Sequence, residues 1–261
     1  MTRPSYALVT GASRGLGKHF ARALGARNRN LALVARSKER LDALADELRG
    51  AHGIQVETFQ FDLARADAAE RLAEELKQRE MQIDLLVNNA GFGDQGRFHV
   101  LPLSRQLEMI NLQIGTVVDL TYRLLPPMIE QRKGGIINVS SMAGFQPIPF
   151  AAIYSGAKSF LTTFSLALEA ELQRHGISVV TVCPGRLRAD PEDGESTTER
   201  KKVPGKEQAH EDVVSEALKV LDRGGGLVIP GALNKFAAFA VGLVPRGKIA
   251  RLTKKLSKPS S

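Results

Sequence analysis

Short runs, most of them β-branched or apolar throughout, alternate along this chain with longer amphipathic stretches, and that rhythm most constrains its fold. The runs are Tyr6–Thr10, Leu31–Ala35, Val56–Phe61, Leu85–Asn88, Ile136–Ser140, Val179–Cys183 and Leu227–Ile229. Strands that read apolar throughout, rather than alternating, are buried on both faces, as in a parallel sheet covered by helices. Helical patterning covers Gly15–Arg27, Lys38–Gly50, Ala66–Arg79, Arg105–Gln131, Phe150–His175 and Glu211–Arg223. The order predicts a single-domain α/β fold: a doubly wound parallel sheet of about seven strands, flanked by helices on both faces. A length of 261 residues suits one such domain.

Two segments break the rhythm. Residues 186–208 are polar and charged and follow the sixth strand, where loops line the cleft of such sheets; a lid is expected there, and a solvated surface loop fits the composition equally well. Residues 232–261 mix Phe236, Phe239, Leu243, Ile249 and Leu252 with lysines and arginines, which predicts a tail of one or two basic amphipathic helices. Residues 1–231 then form the main body.

The first strand runs into Thr10-Gly11-Ala12-Ser13-Arg14-Gly15-Leu16-Gly17, which opens the first helix. Glycines there permit a tight turn and close approach of backbone to a pyrophosphate. The helix N-terminus adds unpaired N–H groups and the positive end of its dipole. In this strand–turn–helix context the motif marks a Rossmann-type dinucleotide site. An acidic residue ending the second strand would bind a ribose 2′-hydroxyl and repel a 2′-phosphate. The strand here ends Val34-Ala35-Arg36-Ser37. Arg36 and Arg14 instead suit a 2′-phosphate, through charge-assisted bonds, so NADP(H) is the expected cofactor.

The bulk numbers narrow the class. Lys plus Arg total 36 against 28 Asp plus Glu, a formal net charge of +8, which attracts polyanions generally. No recognition-helix module accompanies it, so nucleic-acid binding is not expected. Cys183 is the one cysteine, so an intrachain disulfide is ruled out; it ends a buried strand and reads as a core thiol. The five histidines have no metal-ligand spacing, and no metal site is expected. No secretory apolar region precedes the first strand, and no apolar run nears the roughly 20 residues of a span. The expectation is a cytoplasmic protein.

At this point the chain resembles the short-chain dehydrogenase/reductase family. The matching residues are the glycine turn, Asp62, Asn88-Asn89-Ala90-Gly91, Asn111, Ser141, Tyr154-x-x-x-Lys158 and Pro184-Gly185, in the family's order and spacing over about residues 5–230. Tyr154 and Lys158 are i and i+4 on one helix and share a face. A nearby ammonium favours the phenolate, so the Tyr154 pKa is expected below the usual 10 or so. Tyr154 then exchanges a proton with a carbonyl or alcohol oxygen as hydride moves. Ser141 ends the fifth strand, where a hydroxyl can hold the substrate oxygen. Ser140 competes for that role, and the family spacing selects Ser141. The resemblance further implies that Lys158 holds the nicotinamide ribose and that Asn111 holds a water relaying protons to it. It puts Asp62 at the adenine, Asn89-Ala90-Gly91 along the adenosine side and Pro184-Gly185 at the nicotinamide, and counts Ser13, Leu16, Leu63 and Leu187 among the cofactor-binding residues. One position departs: Ala189 stands where the family often has a threonine contacting the carboxamide.

The expected reaction is hydride transfer between NADPH and the carbonyl or alcohol of a small-molecule substrate. Phe92, Phe145, Pro147, Ile148 and Phe150 hint at an apolar pocket, hence a hydrophobic ketone, aldehyde, steroid or acyl substrate. Core packing accounts for these residues equally well. A non-catalytic NADPH sensor, or an epimerase or dehydratase using the same tyrosine–lysine pair, are the alternatives. Family habit implies a homodimer or homotetramer through the long helices Arg105–Gln131 and Phe150–His175. The tail around Leu233–Leu256 suggests either peripheral membrane contact or packing on a sister subunit.

Overall fold

A computed structural model describes residues 4–190, 193 and 207–256, the last two by backbone alone. The strands are β1 Ser5–Thr10, β2 Asn30–Ala35, β3 Val56–Gln60, β4 Gln82–Asn88, β5 Gly134–Val139, β6 Ile177–Val182 and β7 Gly225–Val228. The helices are α1 Gly15–Gly25, α2 Lys38–His52, α3 Ala68–Gln78, α4 Leu103–Ile110, α5 Thr116–Glu130, α6 Ala152–Leu172, α7 His210–Leu221, α8 Ala232–Gly242 and α9 Arg246–Leu256. All seven strands pair in parallel, in the order β3-β2-β1-β4-β5-β6-β7. The sequence of strands reverses between β1 and β4, which opens a crevice at their carboxyl ends.

The continuous apolar runs have a simple cause. Side chains alternate across a strand, and here both faces are covered. Ala7, Val9, Leu31 and Leu33 join a core with Phe20 and Leu24 of α1, Leu41 and Leu48 of α2, and Val213 and Leu218 of α7. Their neighbours Leu8, Ala32 and Val34 face the opposite core, with Leu72 and Leu76 of α3 and Leu120 and Leu124 of α5.

The helix expected over Arg105–Gln131 runs unbroken from Leu103 to Glu130 but is not α-helical throughout. Between α4 and α5 the chain makes a π-helical turn, Asn111–Gly115, in which the Thr116 N–H bonds the Asn111 carbonyl five residues back. One extra residue per turn is invisible to a pattern search with period 3.6. Gly115 permits the turn: a Cβ there would lie 2.7 Å from Asn111 Oδ1. The turn also docks the loop after β3, because Asn111 Nδ2 donates to the Ala64 carbonyl and Thr116 Oγ1 donates to that of Leu63.

Of the expected lid, residues 191–192 and 194–206 lie outside the described residues. Its flanks are joined: the Gln208 N–H donates to the Arg186 carbonyl at 2.8 Å, and the Arg188 N–H to the Gln208 carbonyl at 3.0 Å. The tail forms two helices, α8 and α9. Among the described residues, no helix is long and apolar enough to cross a membrane.

Candidate active site

At the crevice, the side chain and backbone of Thr10 stitch β1 to the end of β4. Thr10 Oγ1 accepts from the Asn89 and Ala90 N–H groups at 2.9 and 3.0 Å, and Asn89 Nδ2 donates to the Thr10 carbonyl at 2.9 Å. Two glycines make this closeness possible. Gly11 holds φ +65, and a Cβ on it would stand 2.9 Å from Ala90 Cα. A Cβ on Gly17 would lie inside the Gly11 carbonyl. The first turn of α1 therefore packs directly on the strand ends.

That turn behaves as an anion site. Neither an N-cap side chain nor an acidic residue of its own serves the start of α1. Instead Asp193, from far along the chain, accepts from the Gly15 N–H at 2.7 Å. Lys18 Nζ holds the same strap, 2.8 Å from Asp190 and 3.2 Å from Asp193. His19 bonds Asp190 at 3.3 Å and stacks on His210 with ring centroids 4.7 Å apart. A carboxylate of the protein thus sits where helix geometry favours an anionic ligand.

A cleft of about 730 Å³ runs from this turn to the loops after β5 and β6. That is the size range of cofactor and small-molecule sites. Every expected site residue lines it except Gly17, whose part is the packing just described, and Asn111. Asn111 reaches the site only indirectly, since its side-chain amide is spent on the Ala64 carbonyl beside Asp62 and Leu63. Arg14 and Arg36 lie at one end, joined by Arg40, which the sequence reading omitted although it stands one helical turn beyond Arg36. Arg36 is mostly in water, with Glu108 3.9 Å away. Of the five residues expected to make an apolar substrate wall, Phe92 lines this cleft. Phe150, at φ +68, lines a separate small cavity with Leu101 and Met109, and the Pro147 carbonyl accepts from Thr253 of α9.

At the other end stand Ser141, Tyr154 and Lys158. Ser140 and Ser141 are adjacent yet point apart. Ser140 Oγ is buried between the Lys158 carbonyl (2.9 Å) and Thr162 Oγ1 (2.7 Å). Ser141 opens onto the cleft beside Tyr154 and accepts from the Ala143 N–H at 3.1 Å. Lys158 is buried, and its Nζ donates to the Val139 carbonyl at 2.8 Å. Its ammonium stands 5.8 Å from the centre of the Tyr154 ring. The ring lies against Gly93, where a Cβ would come within 3.0 Å of it.

Burial governs the ionisation of both groups. It pushes Lys158 down to about 8, because an ammonium loses hydration there; the smaller, opposing influence is the charge of Cys183 behind it. It pushes the Tyr154 phenol up, against the smaller, opposing influence of the Ser141 hydroxyl. This corrects the expected lowering of the Tyr154 pKa. The ammonium is spent on a backbone carbonyl rather than on the phenol, and desolvation of the phenol dominates. Cys183 is buried and pushed up as well, in keeping with a core thiol.

Residues 5–200 match the family model described as short chain dehydrogenase. The very-long-chain 3-oxoacyl-CoA reductase of Anas platyrhynchos is 37% identical over 185 residues, which are 69% of this chain and 59% of that protein. An uncharacterized oxidoreductase of Myxococcus xanthus is 35% identical over 192 residues, 73% of this chain and 76% of its own. The chain spans between half and three-fifths of the length of the 3-oxoacyl-CoA reductases it matches. Among solved structures, a short-chain dehydrogenase from Sphingobium yanoikuyae in complex with NADPH superposes with a TM-score of 0.79 at 29% identity, over 98% of both chains.

Proposed function

The chain belongs to the short-chain dehydrogenase family of oxidoreductases, and we propose that it reduces an apolar carbonyl with NADPH. One observation carries this reading. A single cleft holds an anion-binding glycine turn beside three arginines at one end, and a hydroxyl pair backed by a buried lysine at the other.

The residues fit the dinucleotide on their own geometry. Gly11 and Gly17 let the first turn of α1 pack on the strand ends, Gly15 has open space where a side chain would stand, and a carboxylate already satisfies the Gly15 N–H. Arg14, Arg36 and Arg40 supply donors for a 2′-phosphate, and the end of β2 offers no carboxylate against it. Bound NADPH would supply the hydride.

The protein's own part is the proton. A phenol raised by burial stays protonated near neutrality, so Tyr154 is set to donate to a carbonyl oxygen. Ser141 shares that oxygen and steadies the charge developing on it. Giving up the proton leaves a phenolate, which the Lys158 ammonium stabilises while it remains charged. Lys158 has donors left beyond the one given to Val139 and so can hold a ribose hydroxyl.

Support for an apolar substrate is the Phe92 wall and the names of the relatives. A 3-oxoacyl thioester therefore heads the panel, followed by steroid ketones and aldehydes. Homo-oligomerisation is supported by exposed apolar residues on the outer faces of α5 and α6, Val118, Tyr122, Phe160 and Leu166. The test is consumption of NADPH and of NADH against that panel. Turnover with NADPH and an apolar carbonyl is expected. Tight NADPH binding without turnover on any member would leave a sensor instead.

A further inference from the structure

The net charge of +8 is not spread over the molecule. Residues 232–261 contain Lys235, Arg246, Lys248, Arg251, Lys254, Lys255 and Lys258 and no aspartate or glutamate. Taking these seven from the 36 leaves 29 cations against 28 anions in the first 231 residues. The body is close to neutral, and the tail carries the charge.

The same segment turns apolar side chains outward. Leu233, Phe236, Phe239 and Leu243 of α8 and its end are 66–71% exposed, and their spacing puts them on one stripe of the helix. On α9, Leu252 is exposed as well, whereas Ile249 is buried and Thr253 Oγ1 donates to the Pro147 carbonyl at 3.2 Å. That contact fastens the tail to the loop after β5, so the exposed stripe belongs to a docked element with a fixed face. Four exposed large apolar side chains along one helix stripe, in a segment whose charged residues are all cationic, are not ordinary solvated surface.

We propose that α8 and α9 form an interfacial surface that docks on an anionic lipid bilayer. The stripe enters the boundary between headgroups and acyl chains, and the lysines and arginines meet lipid phosphates. Charge selects this occupant. A second copy that set its own tail against this one across a two-fold axis would bring the same seven cations and no acid against them. A nucleic acid would satisfy the cations but leave Phe236 and Phe239 in water.

Sedimentation of the full-length protein with phosphatidylcholine vesicles, with and without phosphatidylglycerol, tests this. Binding to the anionic vesicles alone is expected, weakened about tenfold or more by raised salt. The pair Phe236→Asp and Phe239→Asp is expected to lower it by a similar factor, with melting temperature and NADPH affinity unchanged. No sedimentation of the wild type with anionic vesicles overturns the proposal, as does equal binding by the variant pair. A dimer in gel filtration that the pair converts to monomer assigns the face to a second copy and overturns it. Tighter retention on duplex DNA than on vesicles, unaffected by the pair, does the same. NADPH turnover is measured separately, so failure here leaves the reductase reading standing.

Discussion

At the phosphate end, the cleft is made of glycine backbone and of arginines that reach into water. At the proton-transfer end, it is made of polar side chains taken out of water: Lys158 donates to a strand carbonyl, and Tyr154 lies against Gly93 and Ser141. The first end binds through position and charge, and its side chains keep their solvent. The second works through desolvation, which moves the ionisation of its groups. Substitutions should therefore divide cleanly, with affinity changing at one end and turnover and pH dependence at the other.

The largest expected effect short of the tyrosine itself separates two neighbours. Ser141→Ala should lower kcat by about 10²–10³, as loss of one donor to a developing oxyanion does. Ser140→Ala should leave kcat nearly intact and lower stability by about 1–3 kcal/mol, because it removes a partner of buried Thr162. A melting curve and a kcat for each variant check the pair; equal loss of kcat in both would erase the distinction.

Next comes the phosphate end. Arg36→Asp should shift the preference for NADPH over NADH by about 10–100-fold, the worth of a charge-assisted bond replaced by repulsion. Most of that should fall in affinity, read by titration of each dinucleotide, with turnover at saturation little changed. Equal weakening of both dinucleotides would contradict the assignment.

The third effect is pH. Lys158 is charged below about 8 and loses its proton as pH rises through that value. Since the ammonium stabilises the phenolate left by proton donation, kcat/KM for reduction should hold level below about 8 and fall toward tenfold per unit above it. A profile flat to high pH would mean that the lysine charge does not matter.

The smallest concerns the strap. Asp193→Asn removes the charge of a buried carboxylate on the Gly15 N–H while Lys18 keeps Asp190, so NADPH affinity should rise a few-fold, about the worth of one charge at a helix N-terminus. Weaker binding by that variant would mean that Asp193 supports the site rather than competing for it.

How much of this was legible in the sequence follows the same division. The strands fall within a few residues of expectation because burial on both faces writes itself as continuous apolar runs. The glycine turn, the arginines and the Tyr154–Lys158 spacing are local patterns, and local patterns survive in one dimension. The rest depends on contacts between distant segments. Asp193 meets Gly15 across 178 residues, and no spacing rule foretells it. The π turn at Asn111 adds one residue to a helix and redirects an amide to the Ala64 carbonyl. The direction of the Tyr154 shift needed knowledge of burial, since the i, i+4 relation alone suggested the opposite sign.

The central claim is that Tyr154 carries the proton that accompanies hydride transfer. The direct measurement is NADPH binding and NADPH oxidation by Tyr154→Phe, side by side with the wild type, on the best carbonyl of the panel. The account predicts NADPH affinity within about twofold of wild type and turnover lowered by about 10³, the worth of a positioned general acid. Undiminished turnover in that variant would contradict it.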